Sequence, residues 1–235
     1  MAPDIQYWYL RDHKLFSTLN NAQIKDLCII TRYKRASRNE IIYFASDPIQ
    51  RIYLLKKGMI KIVESDPDGR EVIKDIIQKG DIFGELSLSG MNGTSEYAQA
   101  ISSEVLICSF TLADFENVLA QDPTISLKFS KFIGFKFKRL QNRYANLVFK
   151  DVRQRIIEFL HEWAEKEGQP QGQTIVVNNY LTHQDIAQLV CTSRQTVTQT
   201  LNALEAEGKL TYSRQEIVFP SADFPAFSTQ NRSIM

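Results

Sequence analysis

YLTHQDIAQLVCTSRQTVTQTLNALEAEGKL, residues 180–210, holds two short helical periods on either side of a three-residue break. Thr182 is placed to cap the first helix, with Asp185 three residues on as a capping-box partner near the positive end of the helix dipole. Ile186, Ala187, Leu189 and Val190 form its buried face. After the break at Cys191, Thr192 and Ser193, Ser193 is placed to cap a second helix. There Val197, Leu201 and Leu204 fall on one face, and Arg194, Gln195, Thr198, Gln199 and Asn202 on the other.

Most exposed helix faces carry Glu, Lys and Arg. This one carries Arg, Gln, Thr and Asn, whose side chains hydrogen-bond base edges in the DNA major groove. A hairpin of helices with a solvated polar face remains open on periodicity alone. Beyond Leu204 the helix runs out at Gly208, a C-cap residue, and Lys209 to Phe219 reads as two short strands around Ser213, Arg214 and Gln215. Helix, turn, helix and hairpin is the order of a winged helix-turn-helix, whose second helix enters the major groove.

With 235 residues and 43% hydrophobic content, the chain fits one or two soluble globular domains. The net charge of +1 gives no global basic field. Within 174–220, Arg194, Lys209 and Arg214 stand against Asp185, Glu205, Glu207 and Glu216, one net negative charge. Phosphate neutralisation supplies most non-specific DNA affinity, so a dimer that doubles the contacts is expected. Cys28, Cys108 and Cys191 are odd in number and far apart, with neither zinc spacing nor a disulfide framework. With no signal peptide and no membrane span, this predicts a cytoplasmic protein.

Upstream, residues 5–28 read as helical, with Asn20 and Asn21 as cap candidates. Five β-rich runs follow, at Ile41 to Phe44, Ile52 to Leu55, Ile60 to Val63, Val72 to Ile77 and Val105 to Phe110, separated by turns such as Asp66-Pro67-Asp68-Gly69. They predict a β-sandwich or jelly-roll barrel, and with the helices an α+β fold. Thr111 caps a helix with Asp114 beside it, and Pro123 opens a longer one that carries Lys128, Lys131, Lys136, Lys138, Arg139, Arg143 and Lys150 and no acid. Phe129, Ile133, Phe137, Leu140, Tyr144, Leu147 and Val148 line one side of it. Self-association through this face and packing on its own barrel are the two readings. Asp151 caps a helix with Ile156, Ile157, Phe159, Leu160 and Trp163 inward, 168–173 reads as a loop, and Ile175 to Val177 as a strand. The expected domains are a sensor barrel at 1–122, a dimerisation helix and hinge at 123–150, the winged helix-turn-helix at 151–220 and a tail at 221–235.

Within the barrel, GDIFGELSL, residues 80–88, is a glycine-punctuated turn with a carboxylate and backbone amides able to cradle a phosphate and bond a sugar hydroxyl. Ser95, Tyr97, Ala98 and Ala100 follow at a distance. Barrel, long helix and C-terminal winged helix in this order resemble the catabolite activator and fumarate-nitrate regulator family of bacterial transcription factors, over about residues 10–220. Three matches carry the resemblance: residues 83–86 for the ligand cassette, 146–152 for the hinge and 192–197 for the recognition helix. It implies that Gly84 and Glu85 line a nucleotide sugar-phosphate, with Phe83, Leu86, Ser87, Thr94 and Ser95 around them. It also implies that Arg194, Gln195 and Gln199 occupy base-reading positions, with Thr198, Asn202, Ser193, Thr182 and Arg214 beside them. Cyclic-nucleotide binders of the family carry an Arg just before the Ser of the cassette, a charge-assisted anchor for the phosphate; here Thr94 holds that place. Lys136 and Arg139 are candidates for substitute charge. The effector is then an unidentified nucleotide, another small anion or none, and residues 1–27 lack the Cys cluster of an iron-sulfur branch.

The leading expectation is a homodimeric, sequence-specific regulator of transcription on a palindromic operator, with RNA polymerase as a further partner and no membrane. The alternative is a small-molecule or redox sensor that acts through protein contacts, with weak DNA binding. Neither a catalytic set of nucleophile, base and orienter nor a metal-ligand cluster is found, so an enzyme is not expected. At the turn, Cys191 stands where relatives often have Gly, which costs about 1 kcal/mol if its φ is positive.

Overall fold

The computed structural model describes residues 3–86 and 95–223, and the chain forms two units, 1–141 and 142–235. In the first, α1 (Pro3–Arg11) and α2 (Asn21–Ile30) precede strands β1 (Arg32–Ser37), β2 (Ile41–Phe44), β3 (Arg51–Lys57), β4 (Ile60–Ser65), β5 (Glu71–Ile77), β6 (Ile82–Gly84), β7 (Glu96–Ala100) and β8 (Glu104–Thr111). Then come α3 (Leu112–Gln121) and α4 (Pro123–Phe149), within which the division of the units falls. The strands pair antiparallel in two sheets, ordered β1-β8-β3-β6 and β2-β7-β4-β5. This is the two-sheet barrel that the β-rich runs predict.

Side-chain alternation builds two cores on this frame. Tyr53 and Leu55 of β3 and Val105 and Ile107 of β8 point between the sheets, where they meet Ile60, Ile62, Ile77, Phe83 and Ala98. Ile52, Leu54, Cys108 and Phe110 point the opposite way and are covered by Leu10, Phe16, Leu27, Phe115 and Phe129. Both faces of β3 and β8 are therefore buried, so their sequences read as continuous apolar runs rather than alternating ones.

Four sequence expectations change. Residues 5–28 are not one helix: α1 stops at Arg11, and α2 starts where Asn20 accepts hydrogen bonds from Ala22 N–H (2.9 Å) and Gln23 N–H (3.0 Å) in a capping box. Strands β1, β6 and β7 are additional; β1 is an edge strand that buries only Ala36, and β7 buries only Ala98 and Ala100, so neither carries a β-branched signature. Residues 168–173 are not all loop, because β9 (Gln169–Gln171) pairs with the next strand through its backbone while all three side chains stay exposed. Phe129 and Ile133 do not belong to an open helix face: Phe129 is 6% exposed and packs edge-on to Phe115 at 5.2 Å, and Ile133 lies against the same cluster. Farther along α4, Phe137, Leu140, Tyr144 and Leu147 are exposed, together with Val148 and Phe149.

In the second unit α5 (Val152–Glu167) is followed by β9, β10 (Thr174–Asn178), α6 (His183–Leu189), α7 (Arg194–Ala206), β11 (Thr211–Tyr212) and β12 (Glu216–Pro220). The sheet order is β11-β12-β10-β9, antiparallel throughout. Ile156, Leu160 and Trp163 of α5, Ile175 and Val177 of β10, and Ile217 and Phe219 of β12 are buried in this unit, as are Ile186, Val197, Leu201 and Leu204.

His13 ties the start of the first unit to its barrel. Its Nδ1 accepts from Leu15 N–H at 3.2 Å, so the proton sits on Nε2, which lies 3.1 Å from the Gly80 carbonyl. Burial, with the Lys56 charge beside it, pushes its pKa down to about 3 from 6.5. The folded state therefore keeps His13 neutral while the unfolded chain protonates it below pH 6.5, so stability is intact above that value and falls as pH drops from 6.5 toward 3. The expected loss is about 1.4 kcal/mol per pH unit. Urea unfolding of the wild type and of His13→Asn, whose side chain can still accept from Leu15 N–H, should show a shallower acid slope in the variant; identical slopes would remove His13 from the account.

Candidate nucleic-acid interface and effector cleft

Two caps fix where the helices of the candidate DNA-binding surface begin. Thr182 Oγ1 accepts from Asp185 N–H at 3.1 Å, while the Asp185 carboxylate accepts from Thr182 N–H at 2.8 Å. Ser193 Oγ accepts from Thr196 N–H at 3.1 Å and lies 2.8 Å from the Thr196 hydroxyl. Both residues are exposed, with their hydroxyls engaged at the start of a helix. Between them Cys191 has φ +54°, the left-handed conformation expected at this turn. At the far end of α7, Lys209 N–H reaches the Leu204 carbonyl at 2.9 Å, closing the helix beside Gly208.

Arg194, Gln195, Gln199 and Asn202 stand together on the exposed face of α7, opposite buried Val197, Thr200, Leu201 and Leu204. Thr198 is half-buried and differs from them. Its hydroxyl donates to the Arg194 carbonyl at 3.0 Å and lies 2.7 Å from His183 Nδ1, which is therefore the protonated ring nitrogen. The His183 ring also stands edge-on to Tyr212 of the hairpin at 5.1 Å. Burial, with the Arg194 charge beside it, holds the His183 pKa below its ordinary value. Arg214 is exposed in the turn between β11 and β12, where Ser213 Oγ accepts from Gln215 and Glu216 N–H at 3.2 and 3.0 Å. Asn179 pins that turn by donating to the Ser213 carbonyl at 2.8 Å. Sequence reading missed His183 and Asn179, because their partners lie 15 and 34 residues away.

Arg155 of α5, also missed, donates from Nε to the Val190 carbonyl (3.0 Å), from Nη2 to the Cys191 carbonyl (3.2 Å) and from Nη1 to the Lys150 carbonyl (2.9 Å). Arg153 pairs with Glu207 at 2.6 Å, and Lys209 with the same carboxylate at 3.1 Å.

In the first unit a cleft of about 400 Å³ is lined, among the described residues, by Gly84, Glu85 and Leu86 together with Arg51, Tyr53, Lys74 and Glu96. Gly84 has φ +99°, and a Cβ there would meet the Arg51 carbonyl oxygen at 2.3 Å, so the close approach of β6 to β3 requires glycine. Phe83 does not line the cleft; it is 2% exposed and stacks on Tyr53 at 5.0 Å between the sheets. Glu96 accepts from the Tyr43 hydroxyl at 2.8 Å and from Lys74 at 2.9 Å, and Lys74 also meets Glu64 at 3.1 Å. Lys136 and Arg139 lie 3.1 and 4.0 Å from Asp75 of β5. Ser95 is exposed just before β7, and Ser87 and Thr94 lie outside the described residues.

Burial pushes the Cys108 thiol up to about 11, which leaves it protonated at neutral pH. Among the described residues no group of three or more His, Cys, Asp and Glu side chains is placed to hold a metal, and no helix is long and apolar enough to cross a membrane.

Glycine adopts positive φ without steric cost. Cys191→Gly should therefore raise thermal stability, by up to about 1 kcal/mol less the entropy that glycine adds to the unfolded chain. A lower melting temperature would place the strain elsewhere.

The cyclic nucleotide-binding domain family matches residues 33–122, and the Crp-like helix-turn-helix domain family matches 154–223. A CRP-like cAMP-activated global transcriptional regulator of Mycobacterium tuberculosis is 32% identical over 164 residues, 70% of this chain and 73% of that protein. A global nitrogen regulator of Nostoc sp. is 26% identical over 181 residues, 77% of this chain and 81% of that protein. Among solved structures, a CooA mutant from Carboxydothermus hydrogenoformans superposes with a TM-score of 0.72 at 28% identity, covering 92% of this chain and 94% of that one. Taken with the barrel and the exposed face of α7, these likenesses establish that the chain belongs to the CRP/FNR family of DNA-binding transcription regulators, with a cyclic nucleotide-binding domain ahead of a Crp-like helix-turn-helix.

Proposed function

We propose that the chain works as a homodimer that reads a palindromic operator, with Arg194, Gln195, Gln199 and Asn202 at the base edges. The observation that carries this reading is the exposed face of α7, where these four side chains stand together at the end capped by Ser193 and along the first turns. Arg bonds guanine O6 and N7, and Gln or Asn bonds adenine N6 and N7. Thr182, Ser193 and Arg214 are exposed and are assigned to the DNA backbone, while Thr198 is assigned to holding the helix.

Dimerisation is assigned to the exposed apolar part of α4, from Phe137 through Leu140 and Tyr144 to Leu147. A contiguous apolar surface of this kind favours burial against a second copy. The functional segments are then a sensor at 1–122, a dimerisation helix and hinge at 123–150 and a DNA-binding domain at 151–220, in a cytoplasmic protein that acts by binding rather than by catalysis. RNA polymerase is proposed as a further partner.

The cleft at Gly84 and Glu85 is proposed as the effector site. Relatives are named as cAMP-activated, which makes a cyclic nucleotide the first effector to try here. Thr94 in place of the phosphate-pairing Arg disfavours that ligand, and another small anionic effector is the alternative. The net negative charge of residues 174–220 favours a second reading, a sensor acting through protein contacts with weak DNA binding.

Selection of binding duplexes from a random pool separates these readings. The expected product is a palindrome with half-sites about 34–36 Å apart. Arg194→Ala and Gln199→Ala should each lose about 1–3 kcal/mol of operator affinity and relax the sequence preference at one position per half-site. An unstructured pool, with or without added cAMP or cGMP, would favour the protein-contact reading.

Sedimentation velocity tests the dimer. A charge in the apolar stretch, as in Leu140→Glu, should shift the protein to monomer and weaken operator binding with it, and an unchanged sedimentation coefficient would move the interface elsewhere.

A further inference from the structure

The three carbonyls that Arg155 meets sit at two helix ends. Lys150 directly follows the last residue of α4, and its N–H still donates to the Asn146 carbonyl at 3.0 Å. Val190 and Cys191 close α6, where the chain takes φ +54° before Ser193 starts the recognition helix. Carbonyls at helix C-termini lack intrahelical partners and carry the negative end of the dipole, so a guanidinium is well matched to both places. Its donors are fixed in one plane, so the contacts at Lys150 and at Val190 and Cys191 are held at a set separation. The Lys150 ammonium is held as well, at 2.5 Å from Glu158 of α5.

We propose that Arg155 is a positioning residue that ties the segment between α4 and α5 to the turn of the helix-turn-helix. A change in the chain direction at Lys150 then displaces the Val190 and Cys191 carbonyls, and through Ser193 it tilts the exposed face of α7. Neither end can move alone without stripping a charged donor of a carbonyl, which couples the two ends. For its effect on base reading the proposal rests on the DNA-binding function argued above, but the tie itself is measurable without DNA.

Hydrogen exchange on the full-length protein provides the test. Thr192 N–H donates to the Ala187 carbonyl at 2.9 Å and Val190 N–H to the Ile186 carbonyl at 3.0 Å, so both amides are protected reporters of the turn. Lys150→Ala removes only the side-chain anchor at the far end. In the wild-type background it should speed exchange at Val190 and Thr192 by about fivefold or more. In an Arg155→Lys background, where a point-like ammonium cannot span both ends, the same change should leave those amides unaffected. A merely structural Arg155 gives additive effects in the two backgrounds, and that outcome overturns the proposal, as does a turn that ignores Lys150→Ala. If Arg155→Lys fails to fold, the response of the turn to Lys150→Ala alone still decides.

Operator affinity by fluorescence anisotropy, on a duplex from the selection, then reports separately on DNA reading. Non-additive losses for the two substitutions carry the tie through to α7. If the wild type binds no duplex, the DNA-binding reading fails and the exchange result still stands for or against the tie.

Discussion

Backbone groups at helix ends have no partner inside the helix, and this chain turns where a side chain or a neighbouring strand meets them. Asn20, Thr111, Asp151, Thr182 and Ser193 each accept from an amide of the turn that follows. The carbonyl ends need cations or a reversal of chain direction, and the second unit uses both: Arg155 at the end of α6 and the chain closure beside Gly208 at the end of α7. The direction of the recognition helix follows from these constraints at its two ends. Its apolar face then has one place to go, against Ile186 and the buried residues of α5 and the sheet.

Caps were legible in the sequence because they are local: the acceptor and the amide lie two or three residues apart. Strands β3 and β8 were legible for another reason, since burial on both faces leaves an uninterrupted apolar run. Strands β1, β7 and β9 escaped notice because a ladder needs only backbone groups, and these strands bury a few alanines or nothing at all. The exposed face of α7 could be drawn from periodicity, whereas the withdrawal of Thr198 from it could not. That withdrawal depends on His183, which only the turn brings within 2.7 Å. Phe129 shows the same limit: its spacing matches Phe137 and Tyr144, but Phe115 waits for it on its own barrel.

Composition also cannot say which charges are already committed. Lys136 and Arg139 were plausible anchors for an anion, yet both lie against Asp75, and Lys74 in the cleft lies between Glu64 and Glu96. An anion entering beside Gly84 would compete with carboxylates for these cations while losing its own hydration. Its net gain is therefore small unless it displaces a carboxylate outright. An effector that offers hydroxyls to Glu85 and Glu96 avoids this competition, since a carboxylate can accept two or more hydrogen bonds without giving up its lysine.

The same accounting bears on DNA. Arg153 and Lys209 share Glu207, and residues 174–220 carry one net negative charge, so that stretch offers little net charge to neutralise phosphates. Non-specific affinity comes almost entirely from that neutralisation, and so does the steep dependence on salt. On the base-reading role proposed for α7, specific affinity comes instead from directional bonds made by Arg194, Gln195, Gln199 and Asn202, the last three neutral, which form only against the right base edges. Discrimination between operator and bulk DNA is a ratio, and a protein can raise it by lowering the background as effectively as by improving the contacts. Low background carries a cost in absolute affinity, and the proposed dimer would recover it, because the second half-site would then be bound at a high effective concentration. On the pairing proposed for α4, the weak charge of residues 174–220 and the exposed apolar stretch of that helix are two parts of one design, in which specificity comes from the helix face and strength from pairing.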